Sequence, residues 1–343
     1  MQPRIPLYVL TGFLGSGKTT LLNQLVKTPV FANSLVIINE LGSTSLDHLL
    51  MTHSQEEQVV ELASGCICCT IRSDLSKTLR DIGWRFARQG RKQFDRVLIE
   101  TTGLANPTPV LHTLMADPNI ADQYRLQGVV SCVDSVNGLS TLKEHSEARQ
   151  QAAVADLLLL TKQDLPQAHS VAELTAALRP LNPLAHIALA EQGLADWKLI
   201  EQLDHAEPVQ SETPLHQWLS FTPAAASPAR LTPEQQLNAH GDAIQAYSFE
   251  LAEPIPMHKF ELWLNALLAH QGPDLLRMKA ILHIQGFPGP MVVHGVQHLF
   301  HPAAFLTQWP NSDRHSKLVF ITRNIPRELL EQSVQQLQPS SEG

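Results

Sequence analysis

"IPLYVLTGFLGSGKTTLLNQLV", residues 5–26, decides how the rest of the chain is read. An apolar run leads into "GFLGSGKT", residues 12–19, which fits G-x-x-x-x-G-K-[ST], and the helix-forming run "TTLLNQLV" follows at once. That context gives the pattern its meaning. Glycines let backbone N–H groups converge on phosphate oxygens, and the start of the following helix adds a dipole that favours negative charge. In such a loop Gly12, Leu14, Gly15, Ser16, Gly17 and Thr20 surround the phosphates. Lys18 reaches the β- and γ-phosphates, and the Thr19 hydroxyl ligates Mg²⁺. The competing reading, a glycine-rich turn with an accidental lysine, is disfavoured by the strand before it and the helix after it.

Outward from this loop, apolar runs alternate with helix-like segments over the first 200 or so residues. "IPLYVL", "SLVIIN", "QVVEL", "FDRVLIE", "LQGVVSCVD" and "ADLLLLTK" read as strands, mostly continuous and therefore suited to a sheet buried on both faces. Helices are expected at about 18–27, 73–90, 106–116 and 170–179. The alternation predicts an α/β fold, a P-loop NTPase domain over 1–204 with a mostly parallel sheet. Residues 205–242, rich in Pro, Ala and Ser, read as a linker. Beyond it, "AIQAYSFEL", "LLRMKAILHIQG", "PMVVHGVQHLF" and "SKLVFITR", with helices near 258–270 and 326–337, predict a small α+β domain over 243–343 with a largely antiparallel sheet.

Composition narrows the functional classes. A chain of 343 residues suits two domains, and 43% hydrophobic content describes an ordinary globular protein. A net charge of −8 offers no basic footprint for nucleic acid. No apolar run approaches the roughly 20 residues of a membrane span, and "MQPRIPLYVLTG" reads as a first strand rather than a signal peptide. Four cysteines, three of them clustered, do not make a disulfide scaffold, so a cytoplasmic location is expected. The sixteen histidines are scattered and carry no ligand pattern.

"LLLLTKQDL" places Thr161, Lys162 and Asp164 just past a buried strand. A carboxylate there accepts from the ring N–H and the exocyclic amine of guanine, whereas adenine presents a ring acceptor at the same position. Asp164 therefore selects GTP over ATP, and the Lys162 stem can cover the base plane. "RVLIETTGLANP" ends a strand at Glu100, where a carboxylate can orient the Mg²⁺ shell or the attacking water. The Gly103 N–H beyond it is placed to contact the γ-phosphate and sense nucleotide state. Asp134 is the runner-up acid, with turn capping as its alternative role. No arginine finger is assignable, so slow intrinsic hydrolysis aided by a partner is expected.

"ELASGCICCTIRSDL", residues 61–75, holds Cys66, Cys68 and Cys69. Three thiolates can share one tetrahedral zinc at about 2.3 Å, leaving a fourth position for water, Glu40 or a client residue. Because Cys68 and Cys69 are sequence neighbours, the segment is expected to bend, and Gly65 permits it. Cys66 and Cys69 also form a C-x-x-C pair of the kind used in thiol exchange, though no thioredoxin-like order of elements surrounds them. Small apolar filler is the third reading. Cys132, inside "GVVSCVD", reads as core.

Taken in order, "LTGFLGSGKTTLLN", "INELG…LD", "GCICC", "LIETTGLANP", "VDS" and "LTKQDL" resemble the metal-handling branch of the P-loop GTPases, and within it the CobW-type metallochaperones. The C-terminal runs resemble the CobW C-terminal domain. The resemblance implies a GTPase, with GTP or GDP and Mg²⁺ at the P-loop and Zn²⁺, or alternatively Co²⁺, at the CxCC motif. It implies metal transfer to a client metalloprotein, adds Glu40 as a residue that can approach the metal or the Mg²⁺, and leaves a homodimer open. Two departures stand out: Ser43 occupies a position where members often carry a second acid, and the linker holds only His205, His216 and His240 instead of a histidine-rich tract. A redox-sensing GTPase switch built on Cys66 and Cys69 is the alternative of a different class, and a small-molecule phosphotransferase is a third.

Overall fold

The apolar run before the glycine motif forms a central strand, β1 (Ile5–Gly12), whose last six residues are buried. In the computed structural model, residues 4–39, 57–61, 67–71, 75–85, 87–88, 91–92, 94–191, 194–203, 243–300, 303–309 and 311–338 are described. Glu40, Ser43, Cys66 and the expected linker with its three histidines lie outside them. The described residues divide into two compact units, one holding 4–178 with 185–203, the other 179–184 with 243–338.

In the first unit β1 is followed by α1 (Lys18–Leu25), β2 (Ser34–Asn39), β3 (Glu57–Glu61) and β4 (Ile67–Ile71). Then come α2 (Leu75–Arg85), a short ladder of β5 (Ala87–Arg88) and β6 (Arg91–Lys92), β7 (Arg96–Thr101), α3 (Thr108–Ala116), α4 (Pro118–Ala121) and β8 (Tyr124–Asp134). The unit ends with α5 (Gly138–Glu144), α6 (Ser146–Val154), β9 (Leu157–Thr161), α7 (Val171–Leu178), β10 (His186–Glu191), β11 (Leu194–Ala195) and α8 (Trp197–Glu201). The sheet runs β11-β10-β9-β8-β1-β7-β2-β4-β3. From β10 to β4 every pairing is parallel, and the antiparallel β11 and β3 close the two edges. The expected mostly parallel α/β sheet is therefore present. No helix among the described residues is long and apolar enough to cross a membrane.

One expectation is corrected. Residues 67–71 run as a continuous strand held by ladders on both sides, with Cys68 opposite Val36 and Val60 and Cys69 opposite Ile37 and Val59. The bend anticipated between Cys68 and Cys69 is absent from this stretch, because hydrogen bonding to two neighbours keeps its backbone extended.

The second unit is built on β12 (Ile244–Leu251), α9 (Met257–Gln271), β13 (Leu275–Leu282), β14 (Met291–Val296), β15 (Leu299–Phe300), β16 (Ala304–Phe305), β17 (Ser316–Arg323) and α10 (Arg327–Gln335). Its strands pair antiparallel in the order β12-β17-β13-β14-β15, with β16 on β14. Phe260, Trp263 and Leu267 of α9, spaced to lie on one helix face, bury against Phe320 and Met278 of the sheet. The Trp263 indole N–H donates to Ser333 Oγ of α10 at 2.8 Å, so the two helices are tied as well as packed.

Gly12 closes β1 and opens the loop in a backbone conformation, φ 136°, that side-chain-bearing residues rarely adopt. A Cβ there would lie 2.4 Å from the Cys132 carbonyl oxygen of β8. Gly12→Ala is therefore expected to destabilise the first unit by about 1–3 kcal/mol and to abolish GDP binding, read by urea unfolding and nucleotide fluorescence. Adding Cys132→Ala should restore neither, because the obstruction is a backbone oxygen.

Candidate functional site

The loop between β1 and α1 is shaped by left-handed glycines at Gly15 (φ 71°) and Gly17 (φ 89°), with a turn closed by Ser16 N–H donating to the Phe13 carbonyl at 3.1 Å. Gly17 caps α1 and leaves the first N–H groups of the helix directed into the loop. The loop is fastened to the sheet by Thr161 at the end of β9. Its buried hydroxyl lies 2.8 Å from the Ser16 carbonyl and 3.2 Å from the Val133 carbonyl. Lys18 is buried and its ammonium donates to the Phe13 carbonyl at 3.1 Å. Desolvation pulls its pKa down, while the charge of Glu100 acts in the opposite direction. Burial pushes the Cys132 thiol up to about 12, so it stays protonated and acts as core, as its place in an apolar strand suggested.

Glu100 sits on β7 beside the loop, and the Thr19 hydroxyl donates to its Oε1 at 2.6 Å. These two oxygens, one from the loop and one from the adjacent strand, make a hard donor set of the kind Mg²⁺ takes, so the residues present fit the ion. One residue on, Thr101 donates to Thr11 of β1 at 2.9 Å, both buried, which fixes the strand ends side by side. The chain then turns, with Ala105 N–H donating to the Thr102 carbonyl at 3.1 Å. Gly103 lies against the P-loop so closely that a Cβ would stand 2.6 Å from the Leu14 nitrogen. The Glu100 and Gly103 pair read from "LIETTG" is thus brought to the phosphate loop.

At the other end of the loop Asp134, the runner-up acid, is corrected to a structural role. Its Oδ1 accepts from the Val136 and Asn137 N–H groups at 2.8 and 3.3 Å, and its Oδ2 accepts from Asn137 Nδ2 at 3.1 Å and Lys162 Nζ at 2.8 Å. Burial alone would raise its pKa, but these donors hold it below the ordinary carboxylate range. With four donors on it, the carboxylate is a turn cap and anchor, not a hydrolytic acid. Lys162 adopts φ 60° after β9, and Asp164 follows, exposed, in the turn beyond it.

The strand pairing sets where the cysteine motif stands. Ile37 of β2 is opposite Ile99 of β7 on one side and Cys69 of β4 on the other. Cys66 and Glu40 flank described strands but lie outside the described residues themselves. In the second unit, Glu250, Asp313 and His315 bring three potential ligand atoms within 4.8 Å of one another. Lys317 already neutralises Asp313 there at 2.7 Å, so the group is satisfied as an ion-pair network.

A contributor that the sequence did not reveal is Gln151 of α6. It is fully buried, and its Nε2 donates to the Gly103 and Ala105 carbonyls, each at 3.0 Å. His145, at the N-terminus of the same helix, stacks on Phe13 of the loop with ring centroids 4.4 Å apart.

Comparison with known proteins agrees with this geometry. Residues 6–188 match the family model of the CobW/HypB/UreG nucleotide-binding domain, and residues 244–338 match that of the cobalamin synthesis protein CobW C-terminal domain. The chain is 31% identical to the zinc chaperone YjiA of Escherichia coli over 331 residues, covering 96% of each protein. It is 34% identical over 198 residues to the zinc-regulated GTPase metalloprotein activator 1 of Schizosaccharomyces pombe, covering 56% of this chain and 47% of that one. The crystal structure of Zn(II)-bound YjiA GTPase from E. coli superposes with a TM-score of 0.71 at 28% identity, covering 98% of this chain and 100% of that one. Loop, neighbouring strands and C-terminal sheet lead to one placement: the chain belongs to the CobW-type family of P-loop GTPases.

Proposed function

We propose that this GTPase is a zinc chaperone, which holds zinc at Cys66, Cys68 and Cys69 with Glu40 nearby, the strand bending on binding so that neighbours Cys68 and Cys69 turn to one ion, and which couples GTP hydrolysis to transfer of the zinc to a client metalloprotein. The observation that carries the reading is the position of Ile37, flanked by Ile99 just before Glu100 and by Cys69 of the metal motif. At about 4.8 Å per strand, the cysteine backbone stands roughly 10 Å from the strand that ends in the phosphate-facing acid. The names of the relatives support the cargo: one is a zinc chaperone, and another a zinc-regulated activator of metalloproteins. Zinc also suits a thiolate-rich ligand set better than hard cations do.

In this reading the P-loop amides and Lys18 hold the phosphates, and Asp164 accepts from the guanine edge. Thr19 and Glu100 would hold Mg²⁺, which would supply charge neutralisation at the phosphates. Glu100 positions Thr19 through their hydrogen bond, and the Gly103 N–H faces the γ-phosphate. A turn that is ordered by GTP and released by GDP biases β7, and β2 carries that bias to β4 and the cysteines. Metal and nucleotide then belong to one two-state element, and each must change the affinity of the other.

Two experiments test this. Protein purified under reducing conditions should carry one zinc per chain with all four thiols counted as bound or free, and Cys66→Ser/Cys68→Ser/Cys69→Ser should lose the zinc yet bind GDP normally. A Cys66–Cys69 disulfide without stoichiometric metal would instead support the redox switch. For the base, Asp164→Asn should weaken GTP binding about 10- to 100-fold, the value of hydrogen bonds to a charged acceptor. It should also improve binding of xanthosine triphosphate, whose 2-carbonyl can accept from the new amide. Unchanged GTP affinity would remove Asp164 from the site.

A further inference from the structure

Helix α6 touches both walls of the phosphate site. At its start His145 stacks on Phe13 of the P-loop, with an interplanar angle of 24°. Further along, Gln151, only 1% exposed, donates one amide hydrogen to the Gly103 carbonyl and the other to the Ala105 carbonyl. Both partners are acceptors, which fixes the amide orientation: a flipped side chain would face its own oxygen against two carbonyls. Between the two gripped residues Leu104 is 57% exposed. The turn is therefore held from inside while its tip faces outward.

Packing does not explain a glutamine here. Gln151 Oε1 is buried and makes no hydrogen bond with the protein, and the residue lines a cavity of about 210 Å³ together with Phe13, Leu14 and Ser16. An unpaired buried amide oxygen is destabilising, a cost that leucine or methionine at the same position would avoid. What an apolar side chain lacks is the double donor. With its carbonyl gripped by Gln151 and its Cα pressed on Leu14, Gly103 has little freedom to redirect its N–H.

We infer that Gln151 is a positioning residue for GTP hydrolysis: it holds the turn after β7 so that Gly103 meets the γ-phosphate, and it thereby sets the preference for GTP over GDP. The inference rests on the proposed γ-phosphate contact of Gly103. A purely structural residue would support both nucleotides equally, since both occupy the P-loop. A residue that positions Gly103 supports GTP alone.

The test measures binding of GDP and of a non-hydrolysable GTP analogue, with kcat and KM, for full-length Gln151→Met, Gln151→Asn and Gly103→Ala. Methionine keeps the length without donors, and asparagine keeps the amide but is too short to reach both carbonyls. Either is expected to lower affinity for the GTP analogue and kcat roughly tenfold, the worth of one to two hydrogen bonds, with GDP affinity within about twofold of the parent protein. Equal loss for GDP and the GTP analogue, or no loss for either, would overturn the inference. If Gly103→Ala leaves the GTP-to-GDP ratio unchanged, the turn does not sense the γ-phosphate and the inference falls with that reading. A collapsed ratio in Gly103→Ala with an intact one in both Gln151 variants overturns the role of Gln151 alone.

Discussion

Around the phosphate loop there is no room for a side chain at two places where backbone meets backbone. A methyl group on Gly12 would strike the Cys132 carbonyl of β8, and one on Gly103 would strike the Leu14 nitrogen of the loop itself. These contacts press the loop between β8 and the turn after β7, so that its position is set by the sheet rather than by its own residues. Thr161 adds a third tie through the Ser16 carbonyl, and Thr101 with Thr11 a fourth. A loop fixed in this way can present converging N–H groups without first ordering them. The buried ammonium of Lys18 is tolerated there because Glu100 offsets part of its desolvation.

The same sheet relates the nucleotide end to the cysteine motif. Parallel strands leave all their C-terminal ends on one edge, so β1, β7 and β9 deliver the P-loop, Glu100 and Lys162 together. The β2 strand is the intermediary, paired to β7 along Ser34–Asn39 and to β4 along Leu35–Asn39. Strands so paired do not slide independently, because register is fixed by every hydrogen bond of the ladder. A change at the end of β7 therefore has a short physical route to the strand that bears Cys68 and Cys69.

Much of this was legible in the residues. The apolar runs marked five of the parallel strands of the first sheet, since a parallel strand covered on both faces needs apolar side chains on each, and also the antiparallel edge strand β3. The loop glycines, Lys18 and Thr19 stood out as one G-x-x-x-x-G-K-[ST] pattern between a strand and a helix, and Glu100 and Gly103 as the end of an apolar run. Helix α6 was not, and the reason is physical: Ala148, Gln150, Gln151, Ala152, Ala153 and Val154 are all buried, so no polar face produces a helical period. Gln151 gives no signal of its own, because its two acceptors are backbone carbonyls more than forty residues away in sequence. "PMVVHGVQHLF" read as one run, yet it forms β14 and β15 of a hairpin turning at Gln297 with φ 54°, where no glycine or asparagine announces the turn. Asp134 was ambiguous because a carboxylate after a strand serves catalysis and capping equally well in sequence, and only its four donors decide the matter.

The central claim is that the metal and the γ-phosphate are read by one element. It is tested most directly by titrating zinc, against a competing chelator, into nucleotide-free protein and into the GDP and GTP-analogue complexes with Mg²⁺. Coupling predicts that zinc affinity differs between the GDP and GTP-analogue forms, and that zinc changes the ratio of the two nucleotide affinities by the same factor. The same zinc affinity in all three forms would contradict it, leaving a GTPase and a metal site that share a sheet without sharing a state.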